Sequence, residues 1–378
     1  DRINVASVQT LVRRLDRHAF DLVIVDEAHH AVSPTYGKIL ARWPLAKVLG
    51  VTATPVRADG RGLDAAFQAL HCGPSIGDLI ADGYLAEPDT FGPKRSLDLS
   101  RVKTAGSDYD RTELADHMDT PRITGDAVAH YKEICHGVQA IAFCVSIKHA
   151  EDTAWVFKAS GYKSESVHGK MKLSAIRAKL AGLADGSIQV LTTCDLVSEG
   201  VDIPSVVCAI GLRPTKSLAL HIQQSGRALR PVYAPGHDLA TRSGRLAAIA
   251  AGHKPRAILL DHAANCFRHG TVDEPREWTL EGRKKRARSG PASAGLTQCE
   301  RCLRPYKPAP RCPYCGHARP QESREPEVAA GQLERIDKAA LQRARRVEEG
   351  ACKTLADFVA LGKSRGYRQG WSHFRWQA

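Results

Sequence analysis

Short apolar runs rich in β-branched residues alternate with segments of helical period, and this alternation limits the fold more than any other feature of the chain. The runs are Ile3–Val8, Leu22–Val25, Lys47–Val51, Gln139–Val145, Ile188–Thr192, Val206–Ile210 and Ala257–Leu260. They are apolar on both faces, as strands of a parallel sheet covered by helices must be. Helical patterns lie between them, at Asp126–His136, His149–Ser160, Ser174–Ala184 and Ser217–Leu229. The expectation is an α/β protein with doubly wound parallel sheets. Pro88, Gly92 and Pro93 break both periods, so Glu87–Pro93 reads as a linker between two such units.

The chain's 378 residues allow two or three domains. No apolar run approaches the roughly 18 residues of a membrane span. The sequence opens at Asp1 without an initiator Met, which reads as a fragment of a longer protein. Net charge is +13, unevenly placed: Glu281–Ala378 holds 21 basic and 10 acidic residues, whereas the first 280 residues are nearly neutral. A neutral body with a basic tail points to a polyanionic partner, nucleic acid first. Seven of the 11 cysteines are scattered, most in apolar surroundings, which fits a reducing, cytoplasmic compartment.

Leu22–Val25 runs directly into Asp26-Glu27-Ala28-His29. Carboxylates at the C-terminal end of a buried strand sit where open α/β sheets bind ligands. One can hold magnesium while the other orients and deprotonates an attacking water. Val51-Thr52-Ala53-Thr54-Pro55 follows the next strand. In the second half, Asp195-Leu-Val-Ser-Glu-Gly200-Val-Asp202-Ile-Pro204 follows another strand. Gln223-Gln-Ser-Gly226-Arg227-Ala-Leu-Arg230 then places two arginines three apart, expected on one face of a helix start. Both guanidinium groups could then reach one phosphate across a cleft.

This ordered set resembles motifs II, III, V and VI of superfamily-two helicases of the DEAD/DEAH-box kind. Phe143-Cys-Val-Ser146 resembles motif IV, Val167-His-Gly169 the motif after it, and Ala6-Ser-Val-Gln-Thr-Leu11 the segment before motif II. The resemblance covers about Asp1 to Asp261. It implies two RecA-like domains, the first incomplete, with ATP and magnesium between them and nucleic acid across their tops. By position, Asp26 would bind magnesium and Glu27 would be the general base. His29 and Gln223 would couple the domains, and Thr52 and Thr54 would link hydrolysis to movement. Arg227 and Arg230 would be finger residues, with Gly200 and Asp202 facing the nucleotide. Ser7, Gln9, Thr10, Ser146 and His168 would lie near the phosphodiester backbone. Cys194 stands where the family often has threonine, so that contact would fall to Thr192 or Thr193 or be lost. Pro231–Lys254 is longer than the family pattern and reads as an inserted loop.

A phosphate-cradling G-x-x-x-x-G-K-[ST] loop does not occur in these residues. Gly362-Lys363-Ser364 lacks the required earlier glycine, which is Asp357, and no strand precedes it. The fragment is therefore expected to be inactive as an ATPase.

Cys299-Glu-Arg-Cys302 and Cys312-Pro-Tyr-Cys315-Gly316 form two C-x-x-C knuckles nine residues apart. Four thiolates at this spacing suit a closed tetrahedral zinc site. Arg301, Arg304, Lys307 and Arg311 surround it, so nucleic-acid contact and a purely structural clip are both open. The four-Cys site, Leu260-Asp-His-Ala-Ala-Asn265 with Arg268-His-Gly270, and Gly366-Tyr-Arg-Gln-Gly-Trp371 together resemble bacterial RadD-type DNA-repair helicases. Tyr367, Trp371, Phe374 and Trp376 suit packing ahead of base stacking.

The expected order is residues 1–88 for the first RecA-like part, 89–273 for the second domain, 274–295 for a basic linker, 296–320 for the zinc module and 321–378 for a basic helical tail. The expected function is an ATP-dependent motor on DNA, ahead of RNA. The competing reading is a DNA-binding module that does not hydrolyse ATP.

Overall fold

The computed structural model describes residues 3–14, 20–56, 62–93, 99, 102–105, 108–118, 121–196, 202–281, 296–302, 304–318, 346–364 and 371–377. Residues 1–319 form one compact unit and 320–378 another.

The chain begins with α1 (Val8–Leu11), where a strand was expected over Ile3–Val8. Ser7 explains the change: its hydroxyl accepts from the Thr10 amide at 3.3 Å and caps a helical turn. β1 (Leu22–Asp26) and β2 (Lys47–Val51) follow with α2 (Pro34–Arg42) between them, and the two strands pair in parallel. Val25, Ala28 and Ala31 are buried beneath them. Burial on both faces was expected here, but Leu22, Ile24, Leu49 and Val51 each remain about half exposed or more.

After α3 (Ile76–Ala81) comes β3 (Pro88–Phe91), within the segment expected as a linker. β3 is an edge strand paired only with β10, a position that tolerates a proline as its first residue. The short hairpin β4 (Thr104–Ala105) and β5 (Asp108–Tyr109) and α4 (Arg111–Met118) follow. The rest of the domain is α5 (Pro121–Cys135), β6 (Ala140–Phe143), α6 (Ile147–Ala159), β7 (Ser164–His168), α7 (Leu173–Asp185), β8 (Val190–Cys194), β9 (Cys208–Gly211), α8 (Leu218–Leu229), α9 (Arg242–Ala251), β10 (Ala257–Asp261) and α10 (Asn265–His269). The strands form one parallel sheet in the order β3-β10-β9-β6-β8-β7.

Alternation along the strands builds two cores. Ile141 and Phe143 of β6 join Ile176 and Leu183 of α7 and Ile222 and Leu229 of α8 on one face. Ala140 and Ala142 join Val128 and Tyr131 of α5 and Phe157 of α6 on the other. Small residues on β6 make room for the edge-to-face Tyr131 and Phe157 rings, 5.4 Å apart. This is the doubly wound arrangement expected, and it sends the C-terminal ends of β6, β8 and β9 to a common edge.

A second hairpin, β11 (Thr297–Gln298) and β12 (Pro305–Tyr306), opens the cysteine module. In the separate C-terminal unit, residues 346–351 are helical, followed by α11 (Leu355–Ser364) and α12 (Trp371–Gln377). There the Phe358 and Trp376 rings meet 6.0 Å apart, a packing contact, and Arg375 pairs with Glu349. Gly362-Lys363-Ser364 closes α11 and is no phosphate loop. Gly200, the basic run Arg283-Lys284-Lys285-Arg286 and Tyr367 lie outside the described residues, as do the side chains of Trp371 and Phe374.

Candidate functional site

β1 delivers Asp26 and Glu27 to its C-terminal end. Glu27 adopts a left-handed backbone (φ 48°, ψ 52°), a conformation uncommon outside glycine and costly to hold. The Asp26 carboxylate accepts from the Glu27 amide at 2.9 Å and fixes the turn. Glu27 then starts a 3-10 turn over Ala28–His30. His29 is buried, with Nδ1 3.2 Å from Glu27 Oε2 and 3.1 Å from Thr52 Oγ1. The Thr52 hydroxyl donates to the Thr54 carbonyl at 3.3 Å. Thr52 Oγ1 also accepts from the Thr54 amide at 3.2 Å. The structure thus joins Glu27, His29, Thr52 and Thr54 in one chain of polar contacts. Thr54 itself is fully buried.

The second half of the site lies on the six-stranded sheet. Arg227 occupies the last turn of α8, and Arg230 stands just beyond it in extended conformation (ψ 129°). The pair was expected at a helix start; it marks a helix end. The helix begins ten residues before Arg227, at the Ser217 cap, and Pro231 forces its preceding residue out of helical geometry. The arginines therefore do not share a helix face. Arg230 forms a close ion pair with Asp202. Gln223 is half-buried on α8.

The candidate nucleic-acid contacts divide by exposure. Ser7, Gln9 and Thr10 are exposed. Ser146 caps α6, accepting from the His149 amide at 3.0 Å, and His168 Nε2 lies 3.4 Å from Glu151. Thr192 and Thr193 are buried, and the Thr192 hydroxyl donates to the Ala150 carbonyl at 2.6 Å. The structure keeps these two threonines inside the sheet.

Two residues escaped the reading of the sequence. Asp195, immediately after β8, has φ 62° and pairs with Arg213 and Arg111. Lys254 is fully buried, with Nζ 2.9 Å from the Pro204 carbonyl, 2.5 Å from that of Val206 and 2.6 Å from that of Arg230. A lysine in polar sequence carries no signal of burial, since its partners here are main-chain carbonyls. Burial, and then the positive charge of Arg230, push its ammonium down to about 7. Between that value and the ordinary lysine range the unfolded chain holds more protons than the folded one, so the residue's contribution to stability rises with pH. The expected result is a urea midpoint that increases from pH 7 to pH 9.5 more in the native chain than in Lys254→Met. Equal pH dependence in the two proteins would show that Lys254 does not titrate in this way.

The four cysteine sulfurs of Cys299, Cys302, Cys312 and Cys315 all lie within 4.8 Å of one another. Cys299 and Cys315 are 3.5 Å apart, Cys302 and Cys312 3.7 Å. A tetrahedron with zinc–sulfur bonds of about 2.3 Å has edges of about 3.8 Å, so the donor set fits zinc. Burial opposes ionisation of Cys299, but the amides of Cys302 and Arg301 bring its thiol down to about 6. Gly316 takes φ 70°, which turns the second knuckle. The surrounding basic residues do not form one free patch. Arg304 pairs with Asp89 of β3 at 2.7 Å and lies over the Phe91 and Tyr314 rings, while Lys307 pairs with Glu274 at 3.1 Å. The module is pinned to the edge strand through Arg304, a clip-like arrangement.

Residues 126–232 match the family model of the helicase conserved C-terminal domain, and residues 1–57 that of the type III restriction enzyme res subunit. A 51.5 kDa protein of a Lactococcus phage (isolate 7-9) is 30% identical over 300 residues, covering 78% of this chain and 61% of the phage protein. A Saccharomyces cerevisiae protein named as an ATP-dependent helicase, IRC3, is 32% identical over 245 residues, covering 62% of this chain and 36% of its own length. A fragment of a type I restriction enzyme HsdR subunit from Vibrio vulnificus YJ016 shares the fold, with TM-score 0.51 at 20% identity, over 70% of this chain and 47% of that one. The chain thus contains segments that match the helicase conserved C-terminal domain and the type III restriction enzyme res subunit. It spans less than two thirds of the curated relatives above. No helix among the described residues is long and apolar enough to cross a membrane.

Proposed function

We propose that this chain belongs to an ATP-driven, cytoplasmic motor that moves along or unwinds DNA, with a role in DNA repair. The observation that carries the reading is the Glu27–His29–Thr52–Thr54 chain of contacts, with Glu27 held in a strained backbone at a strand end. A carboxylate so placed can take a proton from water, and the contacts behind it can report that event to the next strand. Asp26 holds the magnesium of the nucleotide, which supplies charge neutralisation at the phosphates. Arg227 and Arg230 meet the phosphates from the second domain, with Gly200 and Asp202 beside the nucleotide and Gln223 and His29 coupling the halves. Ser7, Gln9, Thr10, Ser146 and His168 follow the nucleic-acid backbone. Ser146 favours this because it sits at the N-terminus of α6, where amide dipoles attract phosphate. Thr192 and Thr193 serve only if β8 rearranges. DNA is preferred to RNA on two grounds: relatives bear the names of restriction-enzyme subunits, and the cysteine tail resembles that of repair helicases.

One observation favours a second reading, a DNA-binding module without turnover: the sequence contains no phosphate-cradling loop. The purified 378-residue chain is accordingly expected to show no DNA-stimulated phosphate release, and to regain it when a strand and G-x-x-x-x-G-K-[ST] loop are supplied ahead of Asp1. Robust turnover by the chain alone would refute the assignment of the missing step. No turnover by the extended protein would leave the binding-module reading.

The cysteine module holds zinc and acts as a clip on β3. Structural zinc supplies folding free energy directly, and removing one ligand forfeits it. Cys312→Ser is expected to lose the metal by elemental analysis and to lower the thermal midpoint, with DNA affinity at moderate salt nearly unchanged. A selective loss of DNA affinity, with the log–log salt slope reduced by about 0.7–0.9 for each phosphate no longer neutralised, would assign the module to DNA instead.

A further inference from the structure

Residues 231–254 join the end of α8 to the exit of α3. At one end, the Lys254 Nζ meets three carbonyls, those of Pro204, Val206 and Arg230. These belong to the segment after Asp202 and to Arg230, so Lys254 ties the main chain of Arg230 to the segment two to four residues beyond its ion-pair partner Asp202. At the other end, the insertion grips the exit of α3. Arg242 Nε donates to the Ala81 carbonyl at 2.8 Å, Arg245 Nε to that of Asp82 at 2.8 Å, and the Tyr233 hydroxyl to that of Gly83 at 2.6 Å. The Arg245 guanidinium also lies 4.0 Å over the Tyr84 ring. Three successive carbonyls at the negative end of a helix thus receive two cations and a hydroxyl.

The insertion is itself stiff. Arg245 is 7% exposed and donates back to the Leu239 and Ala240 carbonyls at 3.0 and 3.1 Å. The Ala234 amide bonds the Ala248 carbonyl at 3.0 Å, fastening the irregular segment before α9 to that helix. The Ala86 amide donates to the Leu229 carbonyl at 2.7 Å, a third tie between the segment after α3 and the end of α8. α3 is the first helix after the chain leaves the β1–β2 layer.

We infer that residues 231–254 are a positioning brace that sets the reach of Arg230 from the position of α3, with Lys254, Arg245, Arg242 and Tyr233 as its fastenings. The brace rests on the reading of Arg230 as a phosphate partner. A displacement of α3 is carried by the brace to the main chain of Arg230 and to the segment after Asp202. Its four polar residues bond main-chain carbonyls of this chain, and they act through Arg230.

Hydrogen exchange in the 378-residue chain tests the connection without any turnover. Arg245→Met loosens the α3 end. Amides of residues 205–206 and 228–230 are then expected to exchange about tenfold faster, the scale of one broken hydrogen bond to a charged group. Phe157→Leu, in the opposite core, serves as a control adjusted to equal thermal stability and should leave those amides unchanged. Acceleration confined to residues 81–86 and 233–245 would overturn the proposal. Should Arg245→Met fail to fold, Tyr233→Phe removes one hydroxyl and keeps the test. In the loop-bearing protein, Tyr233→Phe should lower kcat severalfold at unchanged KM for ATP and unchanged thermal midpoint. An unchanged kcat would overturn the brace, whereas absent turnover in the parent protein would overturn the motor reading and leave the exchange result standing.

Discussion

Glu27→Gln is expected to stop turnover in the loop-bearing protein while leaving ATP binding largely intact. Glutamine keeps the shape of the side chain, and its Oε1 can still accept from His29 Nδ1, 3.2 Å from the carboxylate in the native chain. The contact from His29 to Thr52 and the strained turn are therefore preserved, and the fold should not suffer. The amide cannot take a proton from water, and losing a general base costs about 10²–10⁴-fold in rate. Phosphate release and titration with a fluorescent ATP analogue separate the two effects. Near-normal turnover would mean that another group is the base. Weakened nucleotide binding with proportionate loss of rate would mean that Glu27 acts through structure. The left-handed backbone adds a control: Glu27→Gly relieves the backbone cost and removes the carboxylate, so it should match the glutamine variant in rate without being less stable at that turn.

Much of the fold was legible because the physics was local. β2 was found at its true limits, and β1 and β10 each within one residue, since a short β-branched run between polar breaks has few other uses. β7 was missed because Ser164-Glu165-Ser166-Val167-His168 holds one large apolar residue, and it is a strand only because β8 offers it a partner. β3 was missed for the opposite reason, a proline and a glycine nearby that suggest a break unless the strand lies at an edge. The carboxylates and arginines were legible as motifs, yet their geometry was not. Nothing short of the three-dimensional chain places His29 beside Thr52, turns Arg230 off the end of α8, or shows that Arg304 is engaged by Asp89. Lys254 marks the limit most clearly: its partners are carbonyls, which every sequence supplies at every position.

Arg230→Ala is the other substitution expected to act strongly, and by a different route. A guanidinium that meets the phosphates stabilises charge in the transition state, and such a finger contributes roughly 10³-fold or more to turnover. The structure makes the substitution unusually clean. Lys254 holds the carbonyl of residue 230, not its side chain, so alanine leaves that cage in place. The extended backbone is set by Pro231 and survives as well. What disappears is the guanidinium and its pairing with Asp202, a half-exposed ion pair of little stability in itself. The thermal midpoint should therefore barely move while kcat falls. Arg230→Lys should recover only part of the rate, because an ammonium restores charge without the two-pronged geometry. Asp202→Asn frees the guanidinium from its resting partner, and the double variant should be no slower than Arg230→Ala alone, since the two side chains act on one contact. Unchanged steady-state kinetics for Arg230→Ala would remove the residue from the site, and additive losses in the double variant would give Asp202 a separate task.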